Sequence, residues 1–201
     1  MKKIKILVFI ISILLLTSCG LEMPINNRVE KEFEDPIKVK MEIKNYGTIE
    51  LEVYPNLAPI TVDNFITLVK NGTYDGTTFH RVIKDLMIQG GDPTGTGYGG
   101  TNKTIKGEFS ANGVENILKH ERGVISMAIV GNDYNSASSQ FFIVQKTNSS
   151  LDGRYAAFGR VTSGIEIVDS ICNNTKVEDS NGTVLKENQP VITRIYVVEG
   201  E

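Results

Sequence analysis

Short segments in which apolar and polar residues alternate are the feature of this chain that most restricts its fold. Apolar residues occupy every second position from Val39 to Ile43, and again from Ile49 to Val53 after a turn at residues 45–47. A period of two places the apolar side chains of a strand on one face. The pattern therefore predicts a β-hairpin with one buried face at the start of the folded domain.

Further short apolar segments are separated by many of the 19 glycines. They predict six more strands, at residues 78–83, 87–90, 124–128, 140–145, 156–161 and 191–198. Two other stretches, residues 60–71 and 163–173, show the helical spacing of apolar residues. Many strands, two helices and frequent glycine turns are typical of a mainly β protein, so we predict a closed antiparallel β-barrel capped by two α-helices.

Composition excludes several classes of protein. A formal charge of −3 provides no basic surface for nucleic acid. Two cysteines, two histidines and scattered acidic residues do not suit a disulfide-stapled miniprotein or a metal centre. We therefore expect no nucleic-acid partner and no metal, and the length of 201 residues predicts one domain with a short appendage.

The first 18 residues predict an export signal, because a basic start precedes an apolar run at residues 6–16. That run is too short to span ~30 Å of hydrocarbon comfortably. The segment ends in Thr17-Ser18-Cys19-Gly20, which resembles the cleavage box of bacterial lipoproteins. This resemblance implies removal of residues 1–18, lipidation of Cys19, and an extracytoplasmic protein anchored to the bacterial cell membrane. An uncleaved anchor or an ordinary cleaved signal is the alternative.

Residues 19–37 are polar and mixed in charge, which predicts a flexible tether after the lipidated cysteine, and we assign residues 38–200 to the folded domain. Cleavage before Cys19 removes three lysines and no acidic residue, and it lowers the formal charge from −3 to −6. Acyl chains would then have to hold the protein on the membrane. Cys172 has no partner if Cys19 is lipidated, so we predict a buried free thiol in the second helix.

Six segments in a fixed order carry the functional signal. They are FHRVI at 79–83, MIQGGDPTGTGYGG at 87–100, SMA at 126–128, NSASSQFFI at 135–143, LDG at 151–153 and AFGRV at 157–161. Together they resemble the cyclophilin family of peptidyl-prolyl cis-trans isomerases, over about residues 39–198. The resemblance implies an eight-stranded barrel, isomerase activity on proline-containing polypeptides that fold outside the membrane, and no cofactor. With no long heptad or separate oligomerisation segment, we expect a monomer.

The same resemblance implies that Arg81 is catalytic and that Gln89 holds its guanidinium. It implies a proline pocket lined by Phe79, Leu86, Met87, Phe142 and Leu151, and an adjoining peptide groove bordered by Ala128, Ile129, Gln140 and Tyr155. The sequence departs from the family pattern at Leu86, where a phenylalanine is usual, and at Ser150, where many members have a tryptophan. The departure at Leu86 predicts a wider pocket.

The chemistry agrees with these residue types. Rotation about an X-Pro bond breaks amide resonance, with a barrier of ~18–20 kcal/mol, but it makes no new bond. The twisted amide has a pyramidal nitrogen with a lone pair, and the permanently charged Arg81 is a suitable donor to it. His80 could act as a general base, but the reaction transfers no proton, so we expect a structural role.

A non-catalytic peptide-binding module or holdase that uses the same groove is the alternative function.

Two other features have structural interpretations. Residues 90–100 are rich in glycine but lack the Lys-Ser/Thr ending of a P-loop, so they predict tight turns along the groove rather than a nucleotide site. His120 is predicted to lie at the surface or in a turn where its ring is hydrogen-bonded. Neither feature adds a second activity.

Overall fold

The computed structural model describes residues 33–199, which form an antiparallel sheet and two α-helices. The strands are β1 (Ile37–Ile43), β2 (Gly47–Val53), β3 (Thr78–Ile83), β4 (Met87–Asp92), β5 (Val124–Met127), β6 (Phe141–Val144), β7 (Ala157–Ser163) and β8 (Ile192–Val197). Helix α1 spans Pro59–Lys70 and helix α2 spans Ile165–Asn174. The predicted mainly β fold with eight strands and two helices is confirmed.

The eight strands form one sheet in the order β3-β4-β6-β5-β7-β2-β1-β8. The two edge strands, β3 and β8, approach each other at one end. There the backbone N–H of Phe79 donates to Pro190 O at 2.9 Å, and that of Ile192 donates to Thr77 O at 2.8 Å. Thr78 and Val191 also form an antiparallel bridge. The sheet is therefore curled into a half-barrel, and hydrogen bonds join one end of its two edge strands.

The core lies inside the half-barrel and beneath the helices. Phe65 of α1 is fully buried and packs against Phe141 and Phe158, with ring centroids 6.0 Å and 5.1 Å away. Helix α2 buries Val168 and Ile171 in the same core. Each helix buries one face, as its apolar spacing predicts, and this packing holds the strands that carry the site.

The helix boundaries differ from the predicted ones by one or two residues. Helix α1 begins at Pro59, because proline fits the first turn, where a helix needs no N–H donor. Helix α2 begins at Ile165 rather than Ser163, because Ser163 still pairs with Glu50 as the last residue of β7. Gly164, with a φ of 84°, separates that strand from the helix.

Cys172 lies on the buried side of α2, with 5% of its surface exposed, and has no disulfide partner. Burial raises the pKa of its thiol to about 12. The prediction of a buried free thiol is therefore confirmed. Phe33, near the end of the predicted tether, packs edge-on against Tyr54 with the ring centroids 5.0 Å apart.

No helix within residues 33–199 is long and apolar enough to cross a membrane. Over the same residues, no group of three or more His, Cys, Asp or Glu side chains is placed to hold a metal ion. The predicted signal at residues 1–18, the lipidated Cys19 and the tether up to residue 32 lie outside the described residues.

Candidate active site

The hairpin of β3 and β4 places Arg81 beside Gln89. The two residues are paired across the hairpin, and Nη1 of Arg81 donates to Oε1 of Gln89 at 3.0 Å. Nε of Arg81 donates to the backbone oxygen of Asn181 at 2.7 Å. The half-buried guanidinium is therefore held by two separate acceptors.

A β-bulge in β3 determines which side chains of that strand face the site. Phe79 pairs with Gly90 and Arg81 pairs with Gln89, so β3 has one more residue than β4 between these pairs. The extra residue breaks the alternation of side chains. Phe79 consequently points into the core, where it is fully buried and packs edge-on against Phe141. The prediction that Phe79 lines the proline pocket is wrong.

A cavity of about 220 Å³, which we call the primary cavity, lies next to the guanidinium of Arg81. Its other walls come mainly from apolar side chains, and all of them belong to residues that the family resemblance implied: Leu86, Met87, Gln89, Ala128, Ile129, Phe142, Leu151 and Tyr155. An apolar cleft with one charged group at its wall can bind a small apolar ring and orient a polar bond beside it.

The aromatic ring of Phe142 is held in place within the wall of the primary cavity. The side chain is 5% exposed, stacks on the imidazole of His120 with centroids 6.0 Å apart, and meets Tyr155 edge-on at 5.4 Å. Offset and edge-on contacts of this kind favour one ring orientation. The cavity therefore presents a fixed aromatic surface.

His120 lies behind Phe142 and is 1% exposed, so the predicted surface position is wrong and the hydrogen-bonded alternative is correct. Its Nδ1 lies 3.0 Å from Oδ1 of Asp152, and its Nε2 lies 3.1 Å from Oγ of Ser126. Because a carboxylate only accepts, we place the ring proton on Nδ1 and let Ser126 donate to Nε2. Burial lowers the pKa of His120, although Asp152 acts in the opposite direction.

Gln140 continues the hydrogen-bonded chain that starts at Arg81. Nε2 of Gln89 donates to Oε1 of Gln140 at 2.8 Å. Nε2 of Gln140 in turn donates to the carbonyl oxygens of Gly97 and Gly99, at 3.0 Å and 2.8 Å. The chain connects the catalytic candidate to the glycine-rich loop.

A second cavity, of about 280 Å³, adjoins the first and shares Gln89, Ala128 and Ile129 with it. Its remaining walls are Gly97, Tyr98, Gly99, Val130, Gly131, Ser136, Ser138 and Gln140. Gln140 thus lines the second cavity and not the primary one. The resemblance likewise assigns Gln140 to the adjoining peptide groove. An extended peptide that occupies the primary cavity has room to continue along this surface.

The glycine-rich loop is organised by Asp92, which is 1% exposed. Its carboxylate accepts from the backbone N–H groups of Thr94, Thr96, Gly97 and Gly99, at 2.7–3.1 Å. Burial opposes ionisation of Asp92, but the bonds from Thr94, Gly99 and Gly97 outweigh it and hold its pKa below the ordinary value. The N–H groups that a phosphate would need are therefore used by Asp92, and the loop forms tight turns as predicted.

The model of the family described as "Cyclophilin type peptidyl-prolyl cis-trans isomerase/CLD" matches residues 38–197, most of the chain. The chain belongs to this cyclophilin family. Peptidyl-prolyl cis-trans isomerase B of Bacillus subtilis is 47% identical over 145 residues, which cover 72% of this chain and 92% of that protein. Peptidyl-prolyl cis-trans isomerase-like 1 of Neurospora crassa is 50% identical over 123 residues, 61% of this chain and 73% of that protein.

A crystal structure agrees with the sequence comparisons. The cyclophilin-type isomerase of Cryptosporidium parvum, crystallised in the presence of the dipeptide Ala-Pro, has a TM-score of 0.71 and 32% identity to this chain. The match covers 81% of this chain and 99% of that one. This cyclophilin is accordingly a peptidyl-prolyl cis-trans isomerase.

Leu86 and Ser150, where the sequence departs from the family pattern, occupy different places in this cyclophilin. Leu86 forms part of the wall of the primary cavity. Ser150 is exposed, and its backbone N–H and Oγ both donate to Oδ1 of Asn148, at 3.0 Å and 2.7 Å. The leucine therefore changes the cavity itself, whereas Ser150 is not one of its lining residues.

Asn181 holds the guanidinium of Arg81, and the sequence interpretation missed it. It contributes a backbone carbonyl, and no side-chain motif identifies which carbonyl will reach an arginine 100 residues away. The available signal was Asp179 followed by Gly182, a spacing typical of a turn closed by an aspartate.

Proposed function

We propose that Arg81 is the catalytic residue of this cyclophilin, that the primary cavity binds the proline ring, and that the substrates are exported or surface proteins. The observation that carries the catalytic part is the guanidinium of Arg81, held by Gln89 and Asn181 beside a cavity with a fixed aromatic wall. In this arrangement a charged donor lies next to the cavity that we propose for the proline ring.

The guanidinium of Arg81 is oriented by the protein and keeps free N–H groups that can donate to a substrate. Two of its five N–H groups are used by Gln89 and Asn181, and three are left for a substrate. In the twisted amide, the prolyl nitrogen gains a lone pair that such a donor can stabilise. Because the donor is already oriented, little reorganisation is needed in the transition state.

The hydrogen bond from Arg81 accounts for only part of the reduction in the activation barrier that catalysis requires. A barrier of ~20 kcal/mol corresponds to about 10⁻² per second, and rates of ~10–10³ per second require its reduction by roughly 4–7 kcal/mol. A hydrogen bond to a charged group contributes ~1.5–3 kcal/mol. The cavity therefore has to supply the remainder, by removing water from the amide and by binding the twisted form better than the planar one.

The alternative is a groove that binds proline peptides or unfolded chains without turning them over. The two readings differ in the effect of Arg81→Ala on an isomerisation assay with a short Xaa-Pro peptide at low temperature. We expect turnover to fall roughly 10- to 100-fold while peptide affinity changes little, since one charged hydrogen bond is lost mainly in the transition state. Arg194→Ala, which removes an exposed arginine on β8, is the matched control and should behave as wild type. Equal rates in wild type and Arg81→Ala, with the peptide still bound, would favour the non-catalytic alternative.

The proposed location rests on the sequence of residues 1–20, where a basic start, an apolar run and Cys19 occur in order. A lipid on Cys19 would hold the acidic domain at the outer face of the cell membrane, near exported chains as they fold. Cys19→Ala should shift the protein from the membrane fraction to the soluble fraction, or block its processing. Normal maturation and unchanged membrane retention would contradict the lipid anchor.

A further inference from the structure

The loop of residues 179–184, which we call the anchor loop, supplies the second acceptor for the guanidinium of Arg81. Asn181 O accepts from Nε at 2.7 Å, whereas Gln89 accepts from Nη1 at 3.0 Å. No residue of the anchor loop lines either cavity of the candidate active site. The loop therefore contacts Arg81 from outside both cavities.

Asp179 closes the anchor loop. Its Oδ1 accepts from the backbone N–H groups of Asn181 and Thr183, both at 3.0 Å, and its Oδ2 accepts from Oγ1 of Thr183 at 2.9 Å. Its backbone oxygen accepts from Gly182 at 3.1 Å. One residue thus makes four hydrogen bonds to the residues on either side of the Asn181 carbonyl. These bonds, those from Thr183 first, hold the pKa of the Asp179 carboxyl below its ordinary value, so it is ionised at neutral pH.

The anchor loop is also bonded to β3 on both sides of Arg81. Val82 donates to Gly182 O at 2.8 Å, and Val184 donates to His80 O at 3.0 Å. Gly182 has a φ of 81°, and a Cβ at this position would collide with the carbonyl oxygen of Val82. Only glycine therefore allows this close approach, and the approach keeps the loop in one register with the strand.

We propose that Asp179 is a positioning residue for isomerisation, which holds the Asn181 carbonyl on Nε of Arg81 and so fixes the guanidinium towards the primary cavity. The inference rests on the proposed catalytic role of Arg81. A guanidinium held at Nη1 alone can pivot about that single bond, whereas a second bond at Nε fixes its plane. Misplacement of a catalytic group by about 1 Å is enough to lower a rate.

Kinetics on the full-length chain test this proposal with three variants. Asp179→Ala removes both carboxylate oxygens, and we expect kcat to fall about tenfold while KM changes less than twofold. Asp179→Asn keeps an Oδ1 acceptor for the two N–H groups and should restore most of kcat. Asp75→Ala is the matched control, because this exposed aspartate also accepts from a backbone N–H, that of Ile195, and lines neither cavity.

A spectroscopic measurement separates positioning from a general loss of structure. The ¹⁵Nε–Hε signal of Arg81, assigned through its loss in Arg81→Ala, should exchange slowly with water in the wild type. In Asp179→Ala it should shift and exchange at least tenfold faster, while in Asp179→Asn and Asp75→Ala it should stay as in the wild type. If Asp179→Ala proves too unstable to measure, the anchor loop can be tested through Thr183→Val, which removes the hydroxyl donor to Asp179 and should give a smaller change in the same direction.

The outcomes distinguish this inference from the proposed function. If Arg81→Ala lowers turnover but Asp179→Ala retains wild-type kcat and Hε exchange, the positioning role is wrong and the catalytic role stands. If Arg81→Ala itself retains wild-type turnover, the proposed catalytic role of Arg81 is wrong, and the positioning role of Asp179 is wrong with it. A tenfold loss of kcat in Asp179→Ala with an unchanged Hε signal would also contradict the positioning role.

Discussion

Gln89 donates from Nε2 to Oε1 of Gln140 at 2.8 Å, and this contact sets the polarity of the whole hydrogen-bonded chain. The carbonyl groups of Gly97 and Gly99 can only accept, so the amide nitrogen of Gln140 must face them. Its oxygen then faces the nitrogen of Gln89, and the oxygen of Gln89 faces Arg81. The glycine-rich loop thus determines that Gln89 presents an acceptor, rather than a donor, to the guanidinium.

Removing the amide donor of Gln140, which anchors this chain to the glycine-rich loop, should lower activity. In Gln140→Glu the carboxylate cannot donate to the carbonyls of Gly97 and Gly99, so the chain loses its anchor. We expect kcat/KM for an Xaa-Pro peptide to fall about tenfold at pH 7, as for loss of one or two hydrogen bonds. Acidification restores a donor on the protonated side chain, so activity relative to wild type should rise between pH 7 and pH 5. A variant with wild-type kcat/KM at pH 7 would refute the role of the chain.

Leu86 should leave room in the primary cavity that an aromatic ring can fill. We expect Leu86→Phe to bury ~40 Å² more apolar surface against the proline ring, about 1 kcal/mol or roughly a fivefold lower KM. Turnover of the bound peptide should change little, because the donor is untouched. Leu185→Phe, at a leucine that is 41% exposed and lines neither cavity, is the control. A higher KM in Leu86→Phe would show that the cavity is already filled by the substrate.

The two buried histidines predict that stability falls on mild acidification. Burial lowers the pKa of His80, with Arg81 acting in the same direction and Asp92 against it, and burial also lowers the pKa of His120. In the unfolded chain the two histidines bind protons near pH 6.5, whereas in the folded chain they bind protons only at a lower pH. The free energy of unfolding should therefore fall below about pH 6.5, by up to ~1.4 kcal/mol per pH unit for each histidine.

Urea denaturation between pH 5 and pH 8 measures this slope. His80→Gln removes one of the two titrating groups and should reduce the slope by about half, because the two contributions are independent. A free energy of unfolding that stays constant between pH 7 and pH 5 would contradict the account of both histidines.

Cys172 should be unreactive in the folded protein. Burial keeps its thiol protonated and excludes reagents, so alkylation at pH 8 requires opening of the region around α2. Mass spectrometry of the peptide that contains Cys172 should show labelling by iodoacetamide at least ~100-fold more slowly without denaturant than in 6 M urea. Labelling at similar rates in both conditions would contradict the buried position.

The sequence was sufficient for the parts of the fold that depend on local periodicity. Alternation located the hairpin of β1 and β2, and apolar spacing located both helices within two residues of their ends. The family resemblance placed Phe79 in the proline pocket, and this was wrong because the bulge before Arg81 turns that side chain into the core. A bulge depends on the pairing of two strands and leaves no clear mark in either one alone.

The site was predicted as a set of residues, but its supporting contacts were not. Family resemblance placed Arg81, Gln89 and the cavity walls, and the structure brings nearly all of them together. The burial of His120 depends on Asp152, 32 residues away, and the second anchor of Arg81 lies 100 residues away. Contacts between distant segments arise from the folded sheet, so periodicity and motif spacing do not reveal them.

The most direct test of the account is the rate at which a bound Xaa-Pro peptide interconverts between cis and trans on the protein, measured by exchange NMR. In Arg81→Ala we predict that this on-protein rate falls at least tenfold while the dissociation constant of the peptide changes less than threefold, because the donor acts on the twisted amide. An unchanged on-protein rate, or a loss of affinity as large as the loss of rate, would contradict the catalytic role of Arg81.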